Sequence, residues 1–360
     1  MNYAMNTTEM MYSTSSDYSY DSVDYSPCNV EAAEEFGASF LPVLYSLVFV
    51  FGLPGNALVL WILLKYKRLK SMTDVYLLNL AISDLLFVIS LPFWAYLAAN
   101  EWIWGDAFCK IINAAYMLGL YGGIMFIILI SIDRYLAIVH AVFAVRARTA
   151  RYGVISSLVM WCVAILASLP TLIYNKVGVI EGRKICYTFF PTENVSNWKP
   201  FSHFEVNVFG FLVPLTIMVF CYSRIILTLL RNKSYKKHRA IKVIFTVVIV
   251  YFVFWTPYNA VLFLHYCKEQ GILNGCEVSY KLSIALKVTE SITFVHCCLN
   301  PVIYAFLGEK FRLYLRRLFH SCLPSIFGCK KCDNVHFAPR EFMTSVRSQS
   351  TGDHDSSMVM

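Results

Sequence analysis

Seven stretches of this chain are long enough and apolar enough to cross a lipid bilayer, and no other property narrows its fold so far. A helix rises 1.5 Å per residue, so a hydrocarbon core of about 30 Å needs roughly 20 apolar residues. The runs fall near Phe40–Leu64, Val75–Leu97, Phe108–Val139, Gly153–Tyr174, Phe204–Leu230, Ile241–Leu264 and Leu282–Leu307. In lipid every backbone N–H and C=O must find a partner inside the protein, and runs of this length meet that demand as helices. Charge agrees: Asp, Glu, Lys and Arg make up 15% of the 360 residues, against about 25% in soluble domains. The predicted fold is therefore an all-α membrane protein, a seven-transmembrane helix bundle. The third run is long and carries charge at its end, so it is expected to tilt and to project beyond the lipid. The polar start predicts no cleavable signal peptide. No internal repeat is visible, which speaks against inverted-repeat transporters.

Orientation follows from Lys and Arg. Residues 1–38 contain neither, whereas Lys65, Lys67, Arg68 and Lys70 follow the first run, Arg146, Arg148 and Arg151 follow the third, and Arg231, Lys233, Lys236, Lys237, Arg239 and Lys242 follow the fifth. By the positive-inside rule these connections face the cytosol and the N-terminal tail lies outside. The net charge of +8 is thus segregated at membrane exits, and no nucleic-acid partner is expected. Cys28, Cys109, Cys186 and Cys276 fall at the outer face, where disulfides persist; four cysteines allow three pairings. Cys162, Cys221, Cys297 and Cys298 fall inside spans as small core residues. Cys322, Cys329 and Cys332 follow the last span and are palmitoylation candidates.

Charge inside the spans marks function. Asp133-Arg134-Tyr135 closes the third run at its cytoplasmic end, where Arg134 can exchange partners as a bundle opens. Asp84 lies deep in the second run. Glu290 lies in the seventh and needs a cation, a polar network or a water cavity; Lys287, one turn earlier, is an alternative partner. Pro214, Pro257 and Pro301 each remove a backbone donor and kink their helices. In the outer tail Tyr18, Tyr20 and Tyr25 alternate with Asp17, Asp21 and Asp24, the setting that tyrosine sulfation needs. Such an arm would attract a basic ligand and speed its encounter. Asn6 and Asn194 head glycosylation sequons on outer segments.

Taken in order, Gly55-Asn56, Leu80-Ala81-Ile82-Ser83-Asp84, Asp133-Arg134-Tyr135, Trp161, Phe254-Trp255-Thr256-Pro257 and Asn300-Pro301-Val302-Ile303-Tyr304 resemble the rhodopsin-like G-protein-coupled receptors. Thr73 through Ala81, Ser90 through Trp94, Asp133 through Ala141 and Phe306 through Arg312 look like the CC chemokine receptors. The likeness runs from about Cys28 to about Arg317. Tyr45 through Gly52 and Arg146 through Thr149 are most similar to the type-4 subgroup, with the type-8 subgroup next.

The resemblance implies disulfides Cys109–Cys186 and Cys28–Cys276. It implies an outward cavity lined by Tyr45, Trp94, Tyr116, Tyr258 and Glu290; an aromatic wall with one carboxylate suits an amine. It gives Asp84 a sodium-linked hub with Asn56 and Asn300. Gly123 and His296-Cys297 depart from that pattern, so a hydrogen-bonded or protonated Asp84 is expected instead of a metal site. Trp255, Pro257, Tyr222 and Tyr304 complete the expected switch around Arg134. Lys237 stands where an acidic partner for Arg134 is common, so the resting clamp should rest largely on Asp133.

The implied organisation is an outer tail (1–38), the bundle (39–307), an amphipathic membrane-surface helix (308–320) built on Phe311, Leu315 and Leu318, and a regulatory tail (321–360). In that tail Thr344, Ser345, Ser348, Ser350, Thr351, Ser356 and Ser357 are kinase candidates. The implied partners are basic CC chemokines, a heterotrimeric G protein of the inhibitory class, receptor kinases, arrestin and membrane lipid. The expected outcome is calcium release and leukocyte chemotaxis at the plasma membrane, with no enzyme activity and no cofactor. The first candidate ligands are the thymus-derived and macrophage-derived CC chemokines. Competing readings are a scavenging receptor, which the intact Asp133-Arg134-Tyr135 opposes, a receptor for another peptide, and a transporter or intramembrane enzyme. Asp84 and Glu290 sit at different depths with no nucleophile or metal cluster beside them, which disfavours the last.

Overall fold

A computed structural model describes residues 31–315 except 68, 143, 145–147, 181, 190–205, 232–234, 274, 308–310 and 314. The chain divides into Met1–Arg312 and Leu313–Met360, and the bundle belongs to the first unit. Seven helices are long and apolar enough to cross a membrane: α1 (Glu31–Ile62, continued by a π-helical turn to Lys67), α2 (Met72–Ala99), α3 (Gly105–Val139), α4 (Ala150–Tyr174), α5 (Val213–Arg231, preceded by a π-helical turn from Val208), α6 (Tyr235–Glu269) and α7 (Cys276–Leu307). A hairpin of β1 (Asn175–Ile180) and β2 (Arg183–Thr188) joins α4 to the segment before α5, pairing Val177 with Cys186.

Most helices outrun the apolar stretches that announce them. α1 begins at Glu31, within the stretch expected to be tail, and α6 begins at Tyr235, ahead of Ile241. Hydropathy ends where lipid ends, but a helix goes on until a cap or a breaker stops it. Ser71 and Asp74 show this for α2, exchanging hydrogen bonds as a capping box (Asp74 N to Ser71 Oγ 3.3 Å, Ser71 N to Asp74 Oδ2 3.2 Å). Helical backbone recurs at 311–313 and 315, and Phe311 packs against the cluster of Val59, Leu63 and Ile303; the rest of the expected surface helix lies outside the described residues.

α3 is the central post. Its apolar window is 67% buried, against 22% for α4, and it packs against α2, α4 and α5 while α1 joins α2 to α7 and α6 joins α7. Small residues permit this closeness, as membrane packing requires. A Cβ on Gly119 would stand 2.6 Å from Phe87 N and 2.8 Å from Ser83 O, and one on Gly55 would stand 3.1 Å from the Pro301 ring.

Two prolines create joints between helices. Pro214 withholds a donor from the carbonyl of Gly210, and the Tyr251 hydroxyl on α6 donates to that carbonyl. Pro301 does the same to Cys297, whose carbonyl accepts from Asn56 Nδ2 on α1 at 3.1 Å. The missing donor of one helix thus becomes a polar contact with another.

Candidate functional site

The start of α3 ties down the hairpin. Trp102, 1% exposed, donates from Nε1 to Gly105 O at 2.9 Å, and its backbone N–H reaches Lys184 O at 2.8 Å. Asp106 Oδ1 accepts from Val177 N at 2.6 Å. Cys109 and Cys186 are joined by a disulfide. Cys276 is disulfide-bonded too; Cys28, its implied partner, lies outside the described residues.

Inside this end sits an aromatic cluster around one carboxylate. Tyr116 donates to Glu290 Oε1 at 3.5 Å. Tyr45, Tyr116 and Tyr258 all lie within electrostatic reach of Glu290. Trp94 stands edge-on to Tyr116, with ring centroids 6.1 Å apart. Two further rings knit the cluster: Phe294 lies 5.2 Å from Tyr45 and 5.9 Å from Tyr116, and Phe87 lies 5.1 Å from Tyr116. Sequence reasoning missed both, because a phenylalanine in an apolar helix carries no mark of which neighbour it will meet. Lys287 turns away from Glu290 and donates to Ala33 O of α1 at 3.0 Å, so the pairing one turn apart is not the arrangement found.

Below this cluster Trp255 stacks on Tyr251 (centroids 5.5 Å) and meets Tyr258 at 6.2 Å and His296 at 5.6 Å. Tyr251 was not among the expected residues. Its signal was a hydroxyl in an apolar run, with Pro214 leaving a carbonyl to receive it. Deeper still, Asp84 accepts from Asn300 Nδ2 at 2.9 Å, while Asn56 turns to Gly52 O and Cys297 O, both at 3.1 Å. The side-chain donor set does not fit sodium: Gly123 has no side-chain oxygen to add to that of Asp84, and His296 Nδ1 is engaged with Thr293 O of its own helix. No group of three or more His, Cys, Asp or Glu side chains placed to hold a metal ion occurs among the described residues.

At the far end of α3, Asp133 is 1% exposed and is the centre of a charged knot. Arg134 Nη2 reaches its Oδ2 at 3.1 Å, and Thr73 of α2 donates to the same oxygen at 2.7 Å. Arg134 also donates to Thr73 Oγ1. Arg148, from the connection before α4, grips the carboxylate with both arms, Nε to Oδ1 at 2.7 Å and Nη2 to Oδ2 at 3.0 Å. Asp133 and Thr73 hold Arg134, and Arg148 shares the Asp133 carboxylate with it; the basic residues read after the third span included Arg148 without singling it out. Tyr135 is hydrogen-bonded to His140 Nε2 at 2.9 Å. Tyr222 lies within electrostatic reach of Arg134, its ring 5.5 Å from that of Phe245. Pro257 is within α6 and Pro301 within α7. The Tyr304 side chain lies outside the described residues. So do Tyr18, Tyr20, Tyr25, Asn6, Asn194, Cys322, Cys329, Cys332, Ser345, Ser348, Ser350, Ser356 and Ser357.

Residues 55–304 match the family of 7 transmembrane receptors (rhodopsin family). The human C-C chemokine receptor type 4 is 52% identical over 338 residues, covering 94% of this chain and 93% of that receptor. The human C-C chemokine receptor type 1 is 51% identical over 316 residues, 88% of each chain.

Proposed function

This chain belongs to the rhodopsin family of seven-transmembrane receptors and, within it, to the CC chemokine receptors, and from that premise we propose how it carries a signal across the membrane. It is a multi-pass receptor and not an enzyme. Its N-terminus is outside, at the plasma membrane; the charge asymmetry of tail and connections supports this orientation. A basic CC chemokine is first caught by the acidic, tyrosine-rich tail, with Tyr18, Tyr20 and Tyr25 sulfated. Its N-terminal amine then enters the aromatic cluster and pairs with Glu290.

One observation carries the reading: α3 bears both Tyr116, beside Glu290, and Asp133-Arg134, in the charged knot. The two sites are about 27 Å apart along a single helix. Ligand contact shifts α6 about Trp255 and Pro257, Arg134 leaves Asp133, and the opened helix feet admit a heterotrimeric G protein of the inhibitory class. Calcium release and leukocyte chemotaxis follow. Receptor kinases acting on the C-terminal serines, then arrestin, end the signal.

The test is calcium release in cells expressing the full chain, against a panel of purified CC chemokines that includes the thymus-derived and macrophage-derived ones, with and without pertussis toxin. A toxin-sensitive response to one or two ligands is expected. Binding with no response would replace signalling by scavenging, and neither binding nor response at confirmed surface expression would reject chemokines as ligands.

A further inference from the structure

Asp133 has more cationic partners than a simple clamp on Arg134 requires. Its side chain is fully buried, whereas that of Arg148 is 24% exposed. Arg148 directs a guanidinium fork at the carboxylate, with contacts of 2.7 and 3.0 Å to its two oxygens, the geometry in which arginine is strongest. The same Nη2 stands 3.3 Å from Thr73 Oγ1, so the connection before α4 is joined to the first turn of α2 as well as to α3. Arg134 touches the carboxylate through one nitrogen at 3.1 Å, and its Nε is buried without a partner among the described residues.

Removing the last cation from a buried carboxylate is strongly unfavourable. If Arg134 were the only partner, its departure would strand the Asp133 charge, and that cost would oppose opening. With Arg148 in place the charge stays paired after Arg134 has gone. We propose that Arg148 is a positioning residue of the switch, one that keeps Asp133 neutralised and so frees Arg134 to move. This rests on the reading of Arg134 as the moving element. It gives Arg148 and Asp133 opposite mutational signs: loss of Asp133 releases Arg134, whereas loss of Arg148 leaves Asp133 to hold Arg134 harder.

The experiment measures guanine-nucleotide exchange in membranes from cells expressing the full chain, at matched surface expression, without ligand and with the CC chemokine that gives the wild-type response. Arg148→Gln is expected to lower basal exchange and to raise the chemokine EC50 about tenfold. Chemokine affinity measured with the G protein uncoupled should not change. Arg148→Lys keeps the charge but loses the fork, so it should shift the same way by less; it is the variant read where Arg148→Gln is retained inside the cell. In an Asp133→Asn background, Arg148→Gln should change EC50 less than about twofold, because no carboxylate remains to compete for. A rise in basal exchange in Arg148→Gln would make Arg148 a lock and overturn the proposal. An equal tenfold loss in the Asp133→Asn background would make it a direct G-protein contact and also overturn it, as would no change at all. A wild-type chain that stimulates no exchange would overturn the signalling reading and this inference with it.

Discussion

Glu290 and Asp133 are both carboxylates carried on membrane-spanning helices, and their surroundings could hardly differ more. Glu290 has a neutral phenol at 3.5 Å and a wall of aromatic rings. Asp133 has two guanidinium groups and a hydroxyl within 3.1 Å. In the aromatic wall beside Tyr116, Trp94 Nε1 is buried with no partner among the described residues. A buried group left so is unfavourable until something arrives to pair it. Arg134 Nε at the inner end is likewise without a partner among the described residues, so the contrast lies in charge: the outer carboxylate faces a phenol and rings, whereas the inner one is held by two guanidinium groups and has to be undone. A transmembrane switch needs that asymmetry, since a ligand can bias an equilibrium only through contacts it makes better in one state.

The comparison breaks if the two carboxylates prove interchangeable in their effects. Glu290→Gln, which keeps shape but removes charge, should weaken chemokine potency about 100-fold while leaving basal exchange unchanged, because a desolvated charge pair is lost. Concentration–response curves for calcium release at equal surface expression test this, and a raised basal signal would show that Glu290 also clamps the resting state. Asp133→Asn should do the reverse, raising ligand-independent exchange roughly fivefold, about 1 kcal/mol of the opening equilibrium. Unchanged basal exchange in that variant would remove the clamp.

Smaller effects sharpen the contrast. Tyr251→Phe leaves the Gly210 carbonyl without its α6 donor, costs about 1 kcal/mol and should lower the melting temperature of the detergent-purified receptor by about 2 °C. Because this joint lies between the two ends, an unchanged melting temperature would mean that water replaces the hydroxyl. Least of all, Tyr116→Phe removes a long hydrogen bond to Glu290 and should shift chemokine potency by less than about threefold. A larger loss would mean that the phenol itself contacts the ligand.

Much of this was legible residue by residue. The apolar runs announced the spans to within a turn or two at most ends. Glu290 and Asp133 stood out because charge is rare in lipid. Phe87, Phe294, Tyr251 and Arg148 did not stand out. The first two are ordinary apolar residues for their setting. Tyr251 matters only because α5 brings a proline-orphaned carbonyl within reach. Arg148 is one basic residue in a connection full of them, and its value lies in ending its reach on Asp133 instead of in water.

The sequence by itself determined that the chain spans a membrane seven times and which family it joins, because both rest on local quantities: hydropathy summed over a helix length, and motifs read in order along the chain. It also determined that Gly123 has no side-chain oxygen to offer, since a missing side chain needs no fold to be missing. Only the tertiary structure decided who pairs with whom: Lys287 with Ala33 and not Glu290, Asn56 with Cys297 and not Asp84, Arg148 with Asp133. A hydrogen bond reaches about 3 Å, whereas spacing along a helix says which face a residue takes and not what the neighbouring helix presents there.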